Sequence, residues 1–211
     1  MKFASLKVAS GLLMAATLAF VTPAKAVSFN YSSADGALIQ FAGNGTFGFT
    51  APPNFTVTSG TAIGFGGSIT TPGGGYVIGA IAANQAPVTG MGTFTIQDGA
   101  TPLTAQLVWN TISQMNAVGG LNVLASLNLT NITYLGGNGD LMALKNDGSG
   151  INTLSFQFTT SYTLQQLKDN QISNSFSGTV TSARVPDGGT TAVLLGVGLV
   201  AMGVIARRRL S

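Results

Sequence analysis

The sequence predicts an all-β fold, an antiparallel β-sandwich or jelly-roll-like ectodomain, and three observations predict it. Period-two alternation of apolar and polar residues recurs through the middle of the chain. Clusters of Gly, Asn, Asp and Pro separate those runs, and only one short stretch carries a helix-start signal. The chain contains no cysteine, so the exported part relies on its own core; residues 27–184 are long enough to build one.

The elements follow in order. Val27-Ser28-Phe29-Asn30-Tyr31 alternates, as do residues 45–49, 54–58, 93–97 and 104–109. Residues 121–135, 152–162 and 171–183 form the strongest runs, and within 127–134 the apolar phase slips at Thr130-Asn131. Such a slip predicts a bulge or a bend between two strands. Turn chemistry stands between the runs at Asp35-Gly36, Gly43-Asn44-Gly45, Gly73-Gly74-Gly75, Asp98-Gly99, residues 136–140 and Asn146-Asp147-Gly148. The single helix candidate is residues 163–168, where Thr163 and Gln166 have capping-box spacing. Glycine is abundant but not periodic, which excludes collagen-like and calcium-nonapeptide repeats.

The two ends stand apart from this domain. Lys2 and Lys7 precede an apolar run at 11–21, and Ala24-Lys25-Ala26 supplies the small-x-small pattern of a signal-peptidase site. Residues 1–26 therefore read as a signal peptide cleaved after Ala26. The apolar run is too short to cross a hydrocarbon core of roughly 30 Å as a helix. At the other end, residues 190–206 read TTAVLLGVGLVAMGVIA, seventeen residues without a charge. As a helix they would extend about 26 Å and form a short transmembrane span. Arg207-Arg208-Arg209 then act as a stop-transfer cluster that stays in the cytoplasm and leaves residues 27–184 outside the inner membrane.

Locating the charges disposes of a nucleic-acid reading. The formal net charge of +3 comes from the leader and the arginine cluster. Residues 27–184 hold Lys145, Lys168 and Arg184 against five aspartates, a net charge of −2. Three scattered cations cannot neutralise a phosphate backbone.

Between the domain and the apolar segment lies Val185-Pro186-Asp187-Gly188-Gly189. Pro186 drives Val185 into extended geometry, and the glycines leave the backbone bare, a form a processing enzyme can grip. Residues 185–209, with motif, apolar segment and arginines in that order, resemble the PEP-CTERM class of sorting segments in its Val-Pro-Asp-(Ser/Gly)-Gly variants. The commoner form of that class has Glu-Pro where this chain has Asp187 and Gly188. The resemblance implies recognition by an exosortase, an integral-membrane cysteine transpeptidase. It also implies initial anchoring in the inner membrane, followed by transfer to the cell envelope, surface or extracellular matrix. It covers residues 185–211 and leaves the domain of residues 27–184 to be read from its own residues.

Those residues restrict the chemistry. The chain has no His, Cys or Glu, which removes histidine-based nucleophilic mechanisms and the usual zinc sites. Asp98, Asp140 and Asp147 sit in turn-like sequence. The oxygen-rich stretch 138–149 offers Asp140 and Asp147 as calcium candidates, but the alternating carboxylates and closing Glu of a calcium loop are missing, so the stretch reads first as solvated turns and no metal site is expected. Trp109 and the tyrosines could form a sugar-stacking platform, but Trp109 closes an apolar alternating run, which favours core or sheet-edge packing. The Asn-x-Ser/Thr sites at Asn30, Asn44, Asn54, Asn128 and Asn131 reflect composition. The expectation is a non-enzymatic surface or matrix protein without a cofactor, structural or adhesive and associated with exopolysaccharide. The alternatives are a carbohydrate- or calcium-binding module and, behind it, an envelope hydrolase.

Overall fold

The computed structural model describes residues 26–115, 121–158 and 162–182, with the side chains of 121–124 and 157 left aside. Most of the leader, the 185–189 motif, the 190–206 segment and the arginine cluster lie outside the described residues.

Thirteen strands and two helices make up these residues. They run β1 (Ser28–Ser33), β2 (Ile39–Ala42), β3 (Thr46–Phe49), β4 (Phe55–Val57), β5 (Gly66–Ile69), β6 (Tyr76–Ile78), β7 (Gln85–Thr89), β8 (Met91–Ile96), β9 (Leu103–Met115) and β10 (Leu121–Thr133). After them come α1 (Gly139–Asp147), β11 (Gly150–Phe158), α2 (Leu164–Asp169), β12 (Gln171–Asn174) and β13 (Ser177–Ser182).

The architecture corrects the expected sandwich. Eight antiparallel strands in the order β10-β11-β13-β1-β4-β5-β8-β9 close into a barrel, because β9 pairs back onto β10. Period-two alternation marks a strand with one buried face, but it carries no information on whether the last strand finds the first. β9 and β10 are thirteen residues long and outrun the barrel. Residues 103–108 of β9 pair with β8, and residues 111–113 pair with β7. From there a second ladder, β7-β6-β3-β2-β12, extends as an upper storey.

The interior of an eight-stranded barrel is just wide enough for side chains. Here Tyr31, Phe55 and Phe94 fill it, with ring centroids 4.5 Å (Tyr31–Phe55) and 5.1 Å (Phe55–Phe94) apart. Room for the rings comes from glycines on neighbouring strands. A Cβ on Gly67 would overlap the Phe55 ring, and one on Gly178 would overlap Tyr31. The Tyr31 hydroxyl donates to Asn152 Oδ1 at 2.9 Å within this core, and burial pushes that hydroxyl's pKa up despite the bond. In the upper storey, Phe47 meets Trp109 edge-on at 4.8 Å, Tyr76 lies 5.2 Å from Trp109, and Phe41 lies 5.9 Å from Phe156.

The predicted phase slip is a bulge within β10, not a break between strands. The β9–β10 register shifts between Thr130 and Thr133, and Asn131 adopts φ 52° with its side chain donating to Gln106 Oε1 at 3.0 Å. The Asp35-Gly36 and Asp98-Gly99 turns place their glycines at φ 73° and 56°. α2 carries the capping box read from Thr163 and Gln166. Residues 171–183 form two strands, β12 and β13, separated at Ser175-Phe176. Residues 138–148, read as turns, form α1 instead.

Candidate functional site

The registers bring one set of loops to a single rim of the barrel. At that rim β1, β5, β9 and β11 begin and β4, β8, β10 and β13 end. Val27 and Ser182 meet there: Val27 N donates to Ser182 Oγ at 2.9 Å, and Ser182 N donates to Val27 O at 2.8 Å. Ala26, on the expected cleavage side of that pair, is exposed. Both expected processing points therefore adjoin one pair of hydrogen-bonded residues. Ala24, the motif residues 185–189 and Arg207–Arg209 lie outside the described residues.

α1 sits at this rim. Asn138 caps it by accepting from Asp140 N at 3.2 Å and Leu141 N at 3.3 Å, and Gly148 ends it in the left-handed conformation at φ 72°. Leu141 and Leu144 turn inward and are fully buried. Leu144 approaches Gly150, where a Cβ would come within 2.9 Å of it. The 58–65 loop is fastened to the start of α1. Thr61 N donates to Asp140 Oδ2 at 2.5 Å, Thr61 Oγ1 donates to Asn138 Oδ1 at 2.9 Å, and Asn138 Nδ2 donates to Thr61 O at 2.8 Å. The Tyr134 hydroxyl donates to Asp98 and accepts from Asn138 N at 2.8 Å. Burial raises the Tyr134 pKa, and the bond to Asp98 raises it further.

Asp140 and Asp147 stand at opposite ends of α1, about 10 Å apart along its axis. Asp140 accepts from Thr61 N, and Asp147 lies on the last turn of the helix. Among the described residues no three or more His, Cys, Asp or Glu side chains gather into a metal site. Trp109 lies in the core, as its place in an apolar alternating run predicts, and is buried with Tyr31, Tyr76 and Tyr134.

Sequence reading missed one concavity. An open trough of about 660 Å³ lies over the outer face of β2, β3 and β12, lined by Gln40, Thr46, Gly48, Thr71, Gln171 and Ser173 among others. The ladder sets Ser173, Gln40 and Gly48 side by side, and the Thr71 side chain lies across Gly48 while its Oγ1 accepts from Phe49 N at 2.8 Å. Its lining is uncharged. The trough was not legible because Gln40 and Gly48, Thr71 and Ser173 are far apart in the chain and meet only once β2, β3 and β12 are in register.

Residues 184–210 match the VPDSG-CTERM motif model. The chain thus carries a PEP-CTERM-type C-terminal sorting motif, which suggests an exported protein processed at the cell envelope by an exosortase-type partner. No curated protein and no solved structure matches the chain. Among the described residues no helix is long and apolar enough to cross a membrane, and residues 190–206 are not among them.

Proposed function

We propose that this is a non-enzymatic structural or adhesive protein of the cell surface or extracellular matrix, delivered by exosortase processing of its tail. The observation that carries the reading is the sorting-motif match at 184–210, which starts two residues after β13 ends at Ser182. One closed β unit then makes up nearly all of the exported chain ahead of the tail. The side-chain inventory supports a non-enzymatic role: with no His, Cys or Glu, catalysis would fall to aspartates, and Asp98 and Asp140 are committed to Tyr134 and Thr61.

Mass spectrometry of the mature C-terminus tests the delivery. Replacing Pro186 and Asp187 by Ala should leave export intact and accumulate a membrane-bound precursor. That precursor should be about 2–3 kDa heavier than the mature form, the mass of a retained segment of the length that residues 185–211 have. An intact end at Ser211 in cells that contain an exosortase would overturn processing. Hydrolase activity that vanishes on Asp98→Asn or Asp140→Asn, in a variant that keeps its fold, would overturn the non-enzymatic role.

The trough favours a second reading, a carbohydrate-binding surface module. Amide and hydroxyl side chains without charge suit a neutral polysaccharide, exopolysaccharide included. A glycan array with the exported protein, repeated with Gln40→Ala and Gln171→Ala together, separates the two readings by whether binding exists and is lost.

A further inference from the structure

The rim that joins Val27 to Ser182 also presents exposed apolar side chains. Leu135 is 93 % exposed, Ile63 63 % and Met142 42 %. Leu135 follows the end of β10, Ile63 lies in the 58–65 loop, and Met142 lies on α1. The bonds of Thr61 to Asn138 and Asp140, together with Met142 N donating to Asn138 O at 2.9 Å, tie these three segments into one end of the barrel. Apolar residues scattered singly over a surface need no explanation, but three exposed on segments that share one rim, the rim that leads into the tail, invite one. Of the other exposed large hydrophobics among the described residues, Val77 lies on β6, Met91 and Met115 at the upper ends of β8 and β9, and Ile151 near the start of β11.

We propose that this rim docks on the lipid bilayer surface while the tail is attached, with Leu135, Ile63 and Met142 entering the boundary between headgroups and acyl chains. The inference rests on reading residues 190–206 as the membrane anchor. Residues 183–189 alone separate Ser182 from that segment, and at full extension they reach no further than about 28 Å. Because Ser182 lies at the rim, this short connection sets an upper bound on the rim's distance from the anchor. Among the nearby carboxylates, Asp140 accepts from Thr61 and Asp98 from Tyr134. Shallow burial of a few large apolar side chains gives weak, reversible contact, which suits a protein that must later leave.

The absence of cysteine permits a direct test. Single variants Leu135→Cys and Ile63→Cys at the rim, and Val77→Cys and Ser173→Cys in the upper storey, are made in the exported chain, residues 27–211. Each carries an environment-sensitive fluorophore and is reconstituted into phosphatidylethanolamine/phosphatidylglycerol vesicles containing nitroxide lipids. The expected result is a blue shift at the rim and quenching several-fold stronger there than in the upper storey. Adding Ile63→Asp to Leu135→Cys should reduce that quenching, and unchanged emission from the buried Trp109 verifies the fold of each variant. Equal quenching at all four positions overturns the proposal. So does a rim label that is shielded only at high protein-to-lipid ratio, since a second copy would then occupy the rim. Flotation after an alkaline wash separates the two levels of inference. A chain that fails to float with the vesicles overturns the anchor reading and the docking with it. A chain that floats with unquenched rim labels overturns the docking alone.

Discussion

The two storeys of the molecule share one alternating code and finish differently. The lower storey closes on itself, whereas the upper ladder stops at β12, a four-residue strand with Gln171 and Ser173 exposed. The difference lies in what the inward positions hold. In the barrel, Gly67 and Gly178 stand where Phe55 and Tyr31 need space, so large rings fit a narrow interior. In the upper storey, Phe41, Phe47, Tyr76, Trp109, Phe156 and Phe158 follow one another, and rings on facing strands hold the layers apart. Closure depends on alternating large and small inward residues, and layering on large ones throughout. The open edge is kept short and polar, a common device against strand-to-strand aggregation.

The sharpest break in this comparison comes from Trp109. Trp109→Ala should cost about 3–5 kcal/mol and loosen the upper storey first, so that amide exchange in β2, β3 and β12 accelerates before that of β1 and β13. Urea denaturation of residues 27–184 measures the cost. That segment is expected to fold alone as a monomer with a β-dominated far-UV spectrum, and a random-coil spectrum without a cooperative melt would refute this. Next come the barrel glycines. Gly67→Ala and Gly178→Ala should each cost about 1–3 kcal/mol, because the Phe55 or Tyr31 ring must move. Gly137→Ala on the open rim, with nothing within 4 Å of its added Cβ, should change stability little.

A pH titration addresses Tyr76, whose pKa burial pushes up to about 12 while Trp109 pulls it partway back. Its unfolded value lies near 10, so the unfolded chain releases this proton first. Stability from this group is whole below about pH 10 and falls as pH rises toward 12, by roughly 2 kcal/mol. Tyr76→Phe should flatten that part of the profile. A smaller loss belongs to the barrel's buried polar pair. Tyr31→Phe should cost about 1 kcal/mol by orphaning Asn152, whose Nδ2 already lacks a hydrogen-bond partner among the described residues. Tyr31→Phe combined with Asn152→Leu should recover most of the loss in the same denaturation experiment.

The strands most legible in the sequence are those with one large apolar face, such as β1, β9, β10 and β11. β5 was hidden because Gly66-Gly67-Ser68 imitates a turn, although Gly67 is glycine to clear a ring and not to bend the chain. β7 was hidden by Pro87, tolerated in a strand that opposes β9 over only three residues. α1 was hidden because Asn138 and Gly148 are turn residues in isolation and become caps only around the helix they enclose. Its two inward leucines, Leu141 and Leu144, leave too little periodicity to reveal it. Barrel closure was beyond reach, since the β11–β13 and β1–β13 contacts join residues far apart in the chain. The sorting tail was legible because order and proximity along the chain define it. The rim was not, because Thr61, Asp98, Tyr134 and Asp140 meet only after the strands are in register.

The pairing of β13 between β11 and β1 has a mechanical consequence. A protein held by its C-terminal end at a surface receives any outward tug at Ser182, and the load then runs along the axis of β13. Two antiparallel ladders, Ser28–Ser32 against Ser177–Thr181 on one side and Gly150–Ser155 against Ser177–Ser182 on the other, resist it together in shear. Their hydrogen bonds must yield as a group, whereas a pull on β12 would open its single ladder with β2 one bond at a time. The strand that leads into the sorting tail is thereby braced on both sides against tension.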